Sequence, residues 1–90
     1  MGRIFVIEDE LHAEQIGEFL SLDSAIAELR RLAAKPWDEA PNRAPCLSWE
    51  GCGRHYELVE YDLSTVPWGE ISRVSALNVS KAESPWLLNA

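Results

Sequence analysis

The stretch that decides the fold is SLDSAIAELRRLAAKP, residues 21–36. Its apolar residues recur at helical spacing, which predicts an amphipathic helix from Leu22 to about Lys35. Ser21 suits the N-cap position, because its side chain can accept a hydrogen bond from the first turn. Pro36 ends the helix, since proline disfavours helical backbone in the residue before it. The apolar face of this helix must be buried, and a sheet is the expected partner.

Strand-like segments lie on both sides of this helix. Residues 3–7 form a β-branched and aromatic run. Residues 11–20 fit either a weak helical stripe or a strand, and we favour a strand hairpin with residues 3–7 because Gly17 is unfavourable inside a helix. Residues 55–62 and 70–80 alternate between apolar and polar side chains. The order ββαββ predicts a small two-layer α+β domain, with one helix packed on a mainly antiparallel sheet of about four strands.

The length and composition are typical of one globular unit. With 47% apolar and 26% charged residues in a chain of 90, we expect residues 1–90 to form a single domain. Residues 36–54 form a long loop rich in proline, glycine and tryptophan, which we expect to be ordered by its tryptophans. Residues 81–90 form a C-terminal tail that we expect to dock. Long loops in compact domains are often functional, so the loop is the first place to look for a site.

The net charge of −7 excludes two classes of partner. Nucleic-acid binding requires a basic face, and the largest basic cluster here is Arg30–Arg31. An anionic membrane surface would repel the chain for the same reason. The sequence shows no secretory leader and no apolar run long enough for a membrane helix, so we expect a cytoplasmic location with reduced cysteines.

Cys46, Cys52 and His55 are the candidate metal ligands. Three interpretations stay open: the two cysteines pack as small buried hydrophobes, they form a disulfide, or they bind a metal. The interpretation as buried hydrophobes needs no cofactor and is favoured. Metal binding would imply zinc, with His12 or an acidic residue as the fourth ligand. The spacing between the cysteines is wider than in a common zinc knuckle.

A small cysteine-dependent enzyme is a remoter hypothesis. Cysteine catalysis requires a thiolate stabilised by a nearby imidazole. The pairs to consider are Cys52 with His55 and Cys46 with His12, with Asp38 or Glu50 to orient the ring. Such pairs arise easily by chance, so a non-enzyme is favoured. The remaining candidates for acid–base work are interpreted as a solvent-exposed charge run: Glu8, Asp9, Glu10, Glu14 and Glu18.

The long loop also carries aromatic and polar residues of the kind found at interfaces. Trp37, Asn42, Arg43 and Trp49 are the candidate recognition patch. The leading hypothesis is therefore a non-enzymatic interaction or regulatory module that binds a protein partner through this loop and an exposed sheet edge. A metal- or small-ligand-binding domain is the alternative. Pairing of sheet edges between two copies leaves a homodimer open.

One short stretch resembles a known family. Residues 4–10, IFVIEDE, resemble the first strand of response-regulator receiver domains, whose acidic pair binds magnesium. Residues 62–69 faintly resemble the phospho-acceptor turn of that family, but Pro67 lies five positions after Asp62 instead of four. The receiver fold also needs five alternating strands and helices, which is more than this chain provides. We therefore do not assign the chain to this family.

Overall fold

The computed structural model describes residues 2–46, 52–81 and 84–88. Five elements follow one another: β1 (Arg3–Asp9), β2 (Glu14–Phe19), α1 (Leu22–Ala34), β3 (Arg54–Asp62) and β4 (Gly69–Val79). The strands form one antiparallel sheet in the order β2-β1-β3-β4, and α1 packs on one face of it. The predicted α+β architecture with ββαββ order is confirmed.

The ambiguous segment after β1 is a strand. β2 pairs with β1 in an antiparallel hairpin, with Phe19 opposite Phe5 and Glu14 opposite Asp9. The register shifts between Ile7 and Glu8, which leaves Ile16 as an extra residue on β2. Such a bulge breaks strict alternation and explains why this segment does not sort cleanly by face in the sequence.

The helix matches its predicted limits closely. The Ser21 side chain accepts a hydrogen bond from the Ser24 backbone N–H at 3.1 Å and caps the first turn. Ala25, Leu29 and Leu32 are fully buried against the sheet, as the apolar spacing predicted. No helix within the described residues is long and apolar enough to span a lipid bilayer.

The end of α1 is fastened by Asn42, which is only 1% exposed. Its amide nitrogen donates to the Leu32 carbonyl at 2.9 Å and the Lys35 carbonyl at 3.1 Å. Its amide oxygen accepts from the Tyr56 hydroxyl at 3.0 Å. Carbonyl groups at the C-terminal end of a helix have no hydrogen-bond donor within the helix, and the Asn42 amide provides that donor. Asn42 therefore joins the loop to the helix and to β3 instead of facing a partner.

The C-terminal tail docks on β4, as expected. Trp86 forms a β-bridge with Leu77, and the Leu87 N–H donates to the Ala76 carbonyl at 2.9 Å. The Arg30 guanidinium lies 4.9 Å from the centre of the Trp86 ring. The tail therefore covers part of the outer edge of β4 and completes the core on that side.

We predict that Asn42→Ala lowers the free energy of unfolding by about 2–3 kcal/mol, because truncation leaves Tyr56 and the carbonyls at the end of α1 without their partner. Tyr56→Phe removes one of these bonds and should cost about 1 kcal/mol. Urea denaturation of the three proteins measures both effects. Wild-type stability of Asn42→Ala would mean that this side chain is free to serve a recognition patch.

Candidate functional site

The centre of the site is the Asp9 carboxylate, which is fully buried at the end of β1. Its Oδ1 accepts hydrogen bonds from the Leu11 and His55 backbone N–H groups at 3.1 and 3.0 Å. Its Oδ2 accepts from Arg54 Nη1 at 2.9 Å and lies 2.5 Å from His12 Nδ1. A buried carboxylate is stable only when it is paired and hydrogen-bonded in this way.

The interpretation of Asp9 as part of a solvated charge run is wrong. Glu10, Glu14 and Glu18 are exposed, but Asp9 is not. Side chains alternate between the two faces of a strand, so Asp9 lies on the same face as Ile7, which packs under the helix. Extending that alternation past Ile7 is the sequence signal that would have placed Asp9 in the interior.

Arg54 connects Asp9 to three other segments. It is 6% exposed, and its Nη1 also donates to the Glu14 carboxylate at the start of β2. Its Nη2 donates to the Arg43 backbone carbonyl in the loop at 3.0 Å. Burial alone would lower the pKa of Arg54, but the hydrogen bonds that Arg54 donates to Glu14 and Asp9, with the nearby negative charge of Glu14, more than offset this and raise it. The guanidinium stays charged and ties β1, β2, β3 and the loop together.

The turn between β1 and β2 positions His12. The Glu10 N–H donates to the His55 carbonyl at 2.9 Å, which holds the start of the turn against β3. Ala13 has a φ of 54°, in the left-handed region that costs a non-glycine residue roughly 1–2 kcal/mol. The turn places the His12 ring with Nδ1 on Asp9, and the ring is 19% exposed. Its second nitrogen is left for other contacts.

The His12 ring also lies close to the two cysteines. Cys46 and Cys52 form a disulfide, and both are half-buried, so the favoured interpretation of two reduced cysteines packed as buried hydrophobes is wrong. A His12 ring nitrogen and the two sulfur atoms all lie within 4.8 Å of one another. Gly53 brings Cys52 into place, because a Cβ at this position would lie 2.4 Å from the Val79 carbonyl oxygen. Only glycine allows the chain to pass this close to β4.

The structure brings together Cys46 and Cys52 from the predicted metal set, but not His55. His55 is the residue after Arg54 on β3 and therefore faces the other side of the sheet. Its Nε2 lies 3.0 Å from Ser75 Oγ, and its Nδ1 contacts the Asn78 side chain. His12, considered in the sequence as a fourth ligand and as the partner of Cys46, stands at the sulfurs instead.

The three described residues of the predicted recognition patch do not share one surface. Trp37 packs against the hydrophobic core, and Asn42 is buried. Arg43 is exposed, with its backbone carbonyl bound to Arg54. Trp49 lies outside the described residues, as does Glu50, one of the two acids considered for orienting a catalytic histidine. Asp9, and not Asp38, is the acid that contacts His12.

We predict that Asp9→Asn lowers the free energy of unfolding by about 3 kcal/mol, because it leaves the buried Arg54 charge without its buried partner. Glu14→Gln is the matched control. Its carboxylate bonds the same Arg54 nitrogen but is 45% exposed, so its loss should cost less than about 1 kcal/mol. Chemical denaturation of both variants measures the difference, and equal losses would refute the central place of Asp9.

Comparison with known proteins assigns no family, since no family model, curated protein or solved structure matches the chain.

Proposed function

We propose that this protein is a small redox-responsive interaction module in which the Cys46–Cys52 disulfide opens and closes in exchange with cellular thiols. The observation that carries this proposal is the position of His12 at the two sulfurs, with its ring oriented by the buried Asp9. A cross-link with a purely structural role requires no oriented imidazole beside it. Thiol–disulfide exchange does benefit from one, because it consumes a thiolate and releases another.

The exchange balances in two steps. When the reduced protein meets glutathione disulfide, the thiolate of one cysteine attacks a sulfur and releases one glutathione thiolate. The thiolate of the second cysteine then attacks the mixed disulfide and releases the second glutathione. The two cysteine protons end on the two released glutathione molecules. The His12 nitrogen that faces the sulfurs is placed to carry a proton in both steps.

Both redox states are expected to keep the fold. The two cysteines are separated by 6 in sequence, and closing so short a ring stabilises a protein by only about 2 kcal/mol. A small domain commonly has roughly 5–15 kcal/mol of stability, so opening the ring leaves the sheet and α1 intact. The change falls on the loop after α1, where Asp38 and Glu39 are exposed.

A cytoplasmic location, which is also a proposal, agrees with this role. Disulfides in reducing compartments are usually transient and serve catalysis or redox sensing. A partner that binds the loop would then meet two forms of it, one cross-linked to the start of β3 and one released. We therefore propose a regulatory, non-enzymatic module whose partner distinguishes the two redox forms of the loop.

The proposal is tested by equilibrating the protein with glutathione buffers in the presence of a metal chelator and counting alkylated thiols by mass spectrometry. We expect a midpoint above about −300 mV, in the range where glutathione reduces the disulfide. A midpoint far below that value would make the disulfide a permanent cross-link. If Cys46 and Cys52 form no disulfide at any glutathione redox potential, the proposal is also contradicted.

The role of His12 is tested by the rate of the same exchange. We expect His12→Ala to slow oxidation by glutathione disulfide roughly tenfold or more, because the proton carrier is lost. His55→Ala is the matched control and should keep the wild-type rate. Hydrogen exchange should show that reduction changes protection in residues 10–13 and 36–46, while α1 and β3 keep theirs. Equal rates in the two variants would exclude His12 from the exchange.

A further inference from the structure

We propose that the reduced protein binds one zinc ion through His12, Cys46 and Cys52. This inference rests on the proposed function in one respect: the Cys46–Cys52 disulfide must be reducible for its sulfurs to become ligands. It goes beyond that function because it adds a ligand and a second stable state of the same residues. The ligand set differs from the one that the sequence suggested, since His12 replaces His55.

The distances fit a common ion. Zinc binds thiolate sulfur at about 2.3 Å and imidazole nitrogen at about 2.0–2.1 Å in tetrahedral geometry. Ligand atoms around such an ion are therefore about 3.3–3.8 Å from one another. The three ligand atoms here already lie within 4.8 Å of one another, so opening the S–S bond and separating the two sulfurs is the main change required. The backbone at the three ligand residues can keep its conformation.

Asp9 supplies the supporting contact that metal-bound histidines usually have. A ligating imidazole almost always donates its other ring N–H to a carboxylate or carbonyl, which fixes the orientation of the ring. His12 Nδ1 lies 2.5 Å from Asp9 Oδ2, and this leaves Nε2 as the ligand atom. The Asp9 carboxylate is itself held by Arg54 and by two backbone N–H groups. The ring is therefore preorganised.

The chemistry of the donors selects the metal. Two thiolates and one imidazole favour zinc over magnesium and calcium, which prefer oxygen ligands. The two thiolate charges neutralise the divalent ion, in a chain that already carries a net charge of −7. The described residues offer three ligands, so the fourth position is open to water or to a donor from a partner.

Another group with three potential ligands carries less weight. Glu10, His55 and Glu57 also lie within reach of a common ion. However, Glu57 is bound to the Arg73 guanidinium at 2.6 Å, and the His55 ring is engaged by Asn78 and Ser75. A cation would have to displace an arginine there, whereas the two cysteine thiolates are available to a cation once glutathione has reduced the S–S bond.

Zinc binding and disulfide formation exclude each other, because both use the same two sulfur atoms. Zinc should therefore protect the thiols from oxidation, and oxidation should release zinc. The site would have two closed states, each of which holds the loop near Cys46 to the start of β3. The metal-free reduced form is the open state.

The test is a titration of the full chain with zinc, kept reduced and free of oxygen, against a chromophoric chelator. We expect one zinc per chain, with at least about 100-fold weaker binding in His12→Ala and in the Cys46→Ser, Cys52→Ser double variant. His55→Ala should bind as the wild type does. Circular dichroism of each variant separates loss of a ligand from loss of fold. Cobalt substituted for zinc should give thiolate charge-transfer absorption.

The outcomes separate the two proposals. Wild-type zinc affinity in His12→Ala, or loss of binding in His55→Ala with a normal fold, overturns the zinc site. Absence of binding to the fully reduced wild type overturns it as well, and leaves the redox proposal standing on its own experiment with chelator. Zinc binding by thiols that never form a disulfide would instead remove the redox proposal and keep this one.

Discussion

Asp9 and Arg54 meet where β1 ends and β3 begins, and both are buried. Removing two charges from water costs several kcal/mol for each ion. Their pairing and hydrogen bonds offset most of that cost, although Arg54 Nε is buried without a hydrogen-bond partner. The other contacts of the pair reach four segments: the turn before β2, the first residue of β2, the backbone of β3 and the loop after α1. The pair therefore fixes the geometry of four segments at one end of the sheet.

The candidate site follows from this constraint. The turn that Asp9 holds presents His12, and the loop that Arg54 holds leads to Cys46. Gly53 brings Cys52 to the same place, because no side chain fits against β4 there. A disulfide, an oriented imidazole and a buried carboxylate are thus assembled by contacts that also stabilise the fold. The described residues of the predicted recognition patch form no such cluster, since Trp37 packs against the core, Asn42 is buried and Arg43 is exposed.

The elements of the fold could be predicted from the sequence, but the partners within the site could not. The limits of α1 follow from its apolar period, from Ser21 and from Pro36. All three signals lie within or next to the helix in sequence. The burial of Asp9 depends on Arg54, which is far away in sequence and close only because β1 and β3 pair. His55 is a candidate ligand by its spacing, three residues after Cys52, yet the alternation of β3 turns its side chain to the opposite face from Arg54. Asn42 has polar chemistry that suits an interface equally well, and only the tertiary structure shows that it caps a helix.

The orientation of the His12 ring is the claim on which both proposals depend. Long-range ¹H–¹⁵N correlation spectra of the oxidised protein at pH 9 measure it, since the two ring nitrogens differ in shift between tautomers. The account predicts that the His12 proton is on Nδ1, donated to Asp9, with Nε2 unprotonated and facing the sulfurs. A proton on Nε2, or shifts averaged between the two tautomers as in a free imidazole, would contradict it.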